Sequence, residues 1–275
     1  MSADQMLRLS YSFFLYAVIT VFTVEENLAA ATSEWQVLKG KHFLIHYCSD
    51  SAFAGKVASK AEEYYDSITV DLGFARYDNF WLWEKRVKVL IYGSRNQFIM
   101  ATGAPVWAIG KTEYSRREIS TFPGDESFIE SVLPHEMTHL IFRDFVGFKG
   151  DIPLWLNEGV AQWEEPLKRE NLERYASKLA ASNQYIPFSR LMLMDVKQVI
   201  ASGQAVNFYR QAMSMVGFLI KTYGSEKFRI FCGEIRDGRN MDDSLRFAYP
   251  ESLRNIIELE KAWKKYVTEY QEAGK

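Results

Sequence analysis

Apolar positions recur along this chain with two different periods, and the change between them divides it in two. From Trp35 to Tyr47 apolar and aromatic residues alternate (Val37, Phe43, Ile45, Tyr47), which predicts one or two strands. Residues 52–72 move to helical spacing, with Phe53, Val57, Ala61, Tyr65 and Ile68 on one face and a stop near Gly73. Arg86 to Tyr92 (Val87, Val89, Leu90, Ile91) is another strand, and a short helix follows around Arg95 to Ala101. Val106 to Phe122 reads as two strands about a turn at Ser115-Arg116, and beyond it helical spacing dominates. Strands with helices first, then helices almost throughout, predict an α+β fold.

The first helix of the second half carries the chemistry. It is predicted from Asp125, as N-cap, to about Phe145, with Gly147 and Gly150 ending it and Pro134 inside it, where either the helix bends or a preceding turn is separate. It contains His135-Glu136-Met137-Thr138-His139. Two histidines four apart lie one above the other on a helix face, so both rings can reach one metal ion. Glu136, beside the first of them, is placed to take a proton from water at that ion. Eighteen residues, 140 to 157, separate His139 from Glu158 in Trp155-Leu156-Asn157-Glu158-Gly159. That is chain enough to turn and bring back a second helix, opened by Pro153. Its Glu158 would complete a His-His-Glu set with a fourth position open, as a catalytic zinc site requires. The pentad lies in an apolar stretch (Ile129, Val132, Leu133, Leu140, Ile141), so its polar groups need partners.

These two segments resemble the gluzincin metallopeptidases, the thermolysin-like clan whose third ligand is a glutamate on the following helix. The Trp-Leu-Asn-Glu-Gly form is similar to the aminopeptidase N family. The size and the later pattern, Tyr209-Arg210-Gln211-Ala212 and then Phe218 to Gly224 and Trp263, resemble the compact bacterial peptidase-MA-like proteins. The resemblance implies a thermolysin-like zincin fold over roughly 35–270, with an N-terminal mixed sheet, the two ligand helices and a mostly helical remainder. It also implies Zn2+ and hydrolysis of peptide bonds. In gluzincins the strand nearest the cleft takes the extended substrate as one more strand, and the 106–122 hairpin is where this sequence puts that edge.

Other site residues follow from position. Ligating histidines give their second N–H to a carboxylate or carbonyl. Gln162 and Glu165 lie four and seven residues past Glu158 on one helix face. The thermolysin-like pattern has an aspartate where Gln162 stands, which leaves Glu165 as the available acid. An oxyanion donor is also required, and no histidine follows His139. Tyr209, read as opening a helix over 208–223, is the candidate, with Arg210 second and Tyr114 after it. His42 and His46 share a strand face by the period of two and are expected to be packed or solvated. The Gly-x-Met-Glu-Asn segment that holds a free amine in aminopeptidases is absent, since Gly103-Ala104 continues as Pro105-Val106-Trp107. An endopeptidase is therefore the expectation. A zincin-fold binding protein without strong activity, and a zinc hydrolase acting on something other than peptides, remain as alternatives.

The first thirty-one residues differ from the rest. Arg8 precedes sixteen uncharged residues, Leu9 to Val24, and Leu28-Ala29-Ala30-Ala31 follows. The run is shorter than the roughly twenty residues a bilayer span needs, which favours a cleaved signal peptide over a short anchor. An exported (periplasmic or extracellular) protein is expected, with residues 32–275 as a single catalytic domain and membrane association possible through the apolar run. The full chain has a net charge of −2 and no basic face to suggest nucleic acid, so a peptide or protein substrate is the expected partner. Hydrophobic content of 48% is ample for one sizeable core. Cys48 and Cys232 could be paired after export or remain buried thiols.

Overall fold

Alternation in the first half of the chain builds one mixed five-stranded sheet. The structure, a computed structural model, describes residues 35–74, 81–147, 152–169 and 171–273; the predicted signal segment lies outside them. β1 (Gln36–Lys39) and β2 (Phe43–Tyr47) pair antiparallel. α1 (Ser51–Asp71), capped by Asp50, whose carboxylate accepts from the Phe53 N–H at 2.8 Å, then crosses to β3 (Val87–Ile91). A crossover of this kind lets two neighbouring strands run parallel, as β2 and β3 do. α2 (Arg95–Thr102) and β4 (Gly110–Glu113) come next, and β5 (Glu118–Thr121) returns parallel to β3. The spatial order is β1-β2-β3-β5-β4, so among the described residues β4 is an edge strand hydrogen-bonded to β5 alone. Phe43, Ile45, Val87, Val89 and Ile119 bury the inner face against Val57, Ala61 and Ile68 of α1.

The hairpin falls where the sequence puts it but is shorter. Val106 and Trp107 form a turn and face solvent, 73% and 77% exposed, and the strand begins only at Gly110. A Cβ at Gly110 would lie 2.6 Å from Val132 Cγ1, so glycine is what lets β4 lie against the start of the motif helix. The turn is a 3-10 turn, Tyr114–Arg116, closed by Arg117 in the left-handed region at φ 54°.

The remainder is helical: α3 (Leu133–Val146), α4 (Leu154–Trp163), α5 (Pro166–Arg169), α6 (Leu172–Ala181), α7 (Phe188–Leu191), α8 (Val196–Ala201), α9 (Ala205–Tyr223), α10 (Ser225–Arg236), α11 (Met241–Ala248) and α12 (Ile256–Ala273). The protein is α+β, and the described residues form one compact unit. Two helices decide where the site sits. α4 and α9 approach so closely that a Cβ on Gly159 would meet the Ala212 carbonyl oxygen at 2.6 Å. The glycine of Trp-Leu-Asn-Glu-Gly is therefore a packing residue, and it fixes the axis along which Glu158 projects. α12 is tied to α9 by Trp263, fully buried, whose Nε1–H donates to Ser214 Oγ at 2.9 Å.

Two expectations need correction. His42 and His46 do not share a face, because His42 lies before β2 begins and the period of two does not extend to it. His42 stacks on Tyr65 of α1, with ring centroids 3.7 Å apart, and its Nδ1 pairs with Glu62 at 2.7 Å. His46 is instead next to Lys88 and Glu118 of β3 and β5, and burial, followed by the Lys88 charge, lowers its pKa. Tyr209 does not open its helix, which starts four residues earlier at Ala205. Cys48 is half-buried and Cys232 buried, and both are free thiols.

Candidate metal centre

The motif helix begins otherwise than its sequence predicts. Phe128–Val132 is wound as a π-helix and regular α-helix starts at Leu133. The Leu133 N–H reaches back to the Phe128 carbonyl, and Pro134 falls in the first turn of α3, where its missing N–H costs nothing. Of the two expectations for Pro134, the structure has the separate preceding turn, wound as a π-helix, rather than a bend. From there the backbone is regular, and Gly147, at φ 78°, ends the helix as expected.

That regularity brings His135 and His139 to one side of α3, with their Nε2 atoms 3.1 Å apart and their rings nearly perpendicular at 86°. α4, opened by Pro153, presents Glu158 to both: Oε2 is 3.9 Å from His135 Nε2 and Oε1 is 3.8 Å from His139 Nε2. The three are the group of potential ligands found among the described residues, and their ligand atoms lie within 4.8 Å of one another.

The outer nitrogens say which way the rings are protonated. His135 Nδ1 is 2.8 Å from Glu165 Oε1, and a carboxylate only accepts, so Nδ1 carries the hydrogen and Nε2 offers a lone pair. His139 Nδ1 faces Asn157 Oδ1 at 3.1 Å with the same consequence. With both rings neutral, two lone pairs point at each other, an arrangement that a shared cation satisfies. Two nitrogens at about 2.05 Å from a tetrahedral ion are about 3.3 Å apart, close to what is observed. The residues present fit a metal ion.

The charges agree. Burial, then the neighbouring His135, lowers the His139 pKa to about 3, so its lone pair stays available at ordinary pH. Burial opposes charge on His135 too, but the Glu165 hydrogen bond and the charges of Glu136, Glu165 and Glu158 outweigh it and raise the pKa. Carboxylates that favour a proton there favour a metal cation for the same reason. Burial raises Glu158, with the Glu136 charge adding to it against the pull of His135. Glu165 also bears the cost of burial, yet hydrogen bonds with His135, Lys168 and Ser131 hold it below the usual carboxylate range. Glu136 is half-buried on α3, near enough for its charge to act on His135, Glu158 and Tyr114.

A family model of the peptidase MA superfamily matches residues 82–269. The chain belongs to the peptidase MA superfamily. No match was found among curated proteins. The superfamily stretch runs from just before β3 into α12 and includes every candidate site residue, while β1, β2 and α1 precede it. Membership makes the protein metallopeptidase-like.

The remaining expected residues are placed as follows. Glu165 takes the His135 ring, the role left open between it and Gln162; Gln162 is buried in the wall of a neighbouring cavity, beside Tyr209. Tyr209 is half-buried on α9, where burial and the Glu158 charge raise its pKa. Arg210 stacks on Tyr175 instead, its guanidinium 4.1 Å from the ring centroid. Tyr114, at the end of β4, lies edge-on to His139 with centroids 6.3 Å apart, and burial and the charges of Glu136 and Glu158 raise its pKa. Asn157 and Ser131 went unnoticed in the sequence. Asn157 could have been found, since it adjoins Glu158 on a helix that must face His139; nothing local marks Ser131.

Glu165→Gln is expected to weaken metal binding about 10–100-fold, because the ring of His135 loses its anionic partner and its orientation. Titration against a zinc-sensitive dye checks this; unchanged affinity in a folded variant would remove Glu165 from the site.

Proposed function

We propose that this protein is a zinc-dependent peptidase that cleaves peptide bonds internally, with Glu136 as general base. One observation carries the reading: two imidazole Nε2 lone pairs and the Glu158 carboxylate converge, with both outer nitrogens already hydrogen-bonded to oxygen. His135, His139 and Glu158 would hold the ion, and zinc is the ion such a ligand set suits. When bound, zinc supplies a Lewis acid and lowers the pKa of a coordinated water to about 7. Glu136 takes a proton from the attacking water and later delivers it to the leaving amine. Tyr209 donates its hydroxyl to the oxyanion that forms at the substrate carbonyl. β4, with an edge that β5 does not use, offers backbone groups to an extended substrate. Endopeptidase action is supported by the missing amine-holding segment at Gly103 to Trp107.

The alternative of a binding protein without activity rests on Gln162 standing where an acid is expected and on the oxyanion donor. Glu165 at His135 Nδ1 speaks to the first ground, and the Tyr209 hydroxyl is the ground that the cleavage test addresses. Export is supported by Arg8, the uncharged run Leu9–Val24 and Ala29 to Ala31. No helix among the described residues is long and apolar enough to cross a membrane.

The test is metal analysis of the purified protein followed by incubation with a diverse peptide library, read by mass spectrometry. About one zinc per chain and cleavage that chelation abolishes and zinc restores are expected. Full zinc with no cleaved peptide would overturn the peptidase reading.

A further inference from the structure

Beside the metal centre is a cavity of about 360 Å³ between α5, α6 and α9. Two of its lining residues join it to the centre. Tyr209 feels the charge of Glu158, and Lys168 donates at 2.6 Å to the same Glu165 oxygen that holds His135. A third, Gln162, is one turn beyond Glu158 on α4. A substrate lying across the centre therefore has this cavity next to its reacting bond.

The walls are apolar where Leu172 and Met213 line them, so the space admits the stem of a side chain. Its charged lining residues are Lys168 and Arg210. Arg210 projects into it with the guanidinium stacked on Tyr175, which restrains the group and leaves its N–H edge for a ligand. Among the described residues no carboxylate ion-pairs with Arg210, whereas Lys168 has its charge answered by Glu165. α6 begins at the cavity, and its N-cap, Asn171, makes no side-chain capping bond, so the positive end of that ten-residue helix adds to the same field. A half-enclosed apolar space with a restrained guanidinium that no carboxylate answers among the described residues is complementary to a carboxylate on a short aliphatic stem.

Resting on the peptidase reading above, we propose that this cavity receives a carboxylate-bearing residue of the substrate beside the cleaved bond, and that Arg210 selects it. The substrate class is thus acidic peptides. The carboxylate comes from a Glu or Asp side chain or from a free chain terminus close to the cut, and the two sources are separable.

The experiment uses matched peptides. One arm compares Glu with Gln at positions flanking the cleaved bond, and the other compares a free C-terminus with its amide. Each pair is measured twice: as kcat/KM with the zinc-loaded protein, and as binding affinity to the Glu136→Gln protein, which needs no turnover. In at least one arm the acid is expected to be favoured about 10–100-fold, the range a charged hydrogen bond supplies. Arg210→Gln should bring that ratio to within about twofold of unity, Arg210→Lys should keep part of it, and Arg210→Glu should turn the preference toward Lys-containing peptides. Equal acid and amide in both arms of the unsubstituted protein would overturn the proposal, with no variant needed. An acid preference that survives Arg210→Gln would overturn the role of Arg210. Absence of all cleavage would count against the peptidase reading alone, since the binding measurements still decide the cavity's selectivity.

Discussion

Glu136→Gln is expected to leave zinc content and melting temperature unchanged and to lower kcat about 10²–10⁴-fold, the usual contribution of a positioned general base. The variant keeps shape and most of the polarity of the side chain and removes only its ability to accept a proton. None of the hydrogen bonds that hold the ligand rings involves Glu136: His135 is held by Glu165 and His139 by Asn157. The ion should therefore bind nearly as before. Any change is expected to be a slight weakening, because Gln removes one of the negative charges that favour a cation beside His135. Zinc stoichiometry and steady-state cleavage of one good library peptide check the result. A variant within tenfold of the parental kcat would show that another group takes the proton. One that lost zinc would show that Glu136 helps to hold the ion.

Why the metal centre could be read from the chain while its surroundings could not is a matter of distance along it. His135, Glu136 and His139 share one helix, so helical period alone puts the two rings on one side. Glu158 is separated from them by a turn, but the turn is short and Pro153 and Gly159 mark where α4 starts and where it touches α9. Glu165 does not follow from that period, because α4 ends at Trp163 and the expected helix face does not reach it. Nor does the hydrogen bond from Ser131 to Glu165, because it depends on the π-helix at Phe128–Val132. Pro134 signals a disturbance there, but whether the chain kinks or rewinds is decided by how Phe128 and Ile129 bury. The cavity beside the centre was not legible either: α5, α6 and α9 each supply part of it, and no sequence period relates them. The same limit applied to His42, where extrapolating a strand by one residue put the ring on the wrong face.

Tyr114 and Tyr209 show how long-range placement sharpens the choice of oxyanion donor. Both phenols approach the site, one from the end of β4 and one from α9, and the charges acting on each tell them apart. Tyr114 lies edge-on to His139 and its pKa is raised by burial and by the charges of Glu136 and Glu158. Its ring is also flanked by the guanidinium of Arg143, 5.6 Å from the centroid. Tyr209 feels Glu158 alone among the charges. Tyr209, which lines the adjoining cavity and feels Glu158, is the proposed donor to the oxyanion that forms on the substrate carbonyl oxygen. Tyr209→Phe removes one hydroxyl and keeps the ring that packs edge-on to Phe208 at 5.5 Å. It is expected to lower kcat about a hundredfold or more, with little change in KM, because the hydrogen bond forms mainly in the transition state. Tyr114→Phe is expected to lower kcat less than about tenfold, as a residue that lines the site without donating to the transition state. Zinc content and melting temperature should hold in both. The reverse order of effects would move the oxyanion donor to Tyr114 and put the developing charge on the β4 side of the centre. Equal, small effects would leave the ion as the main stabiliser of that charge, with both tyrosines serving to shape the cleft.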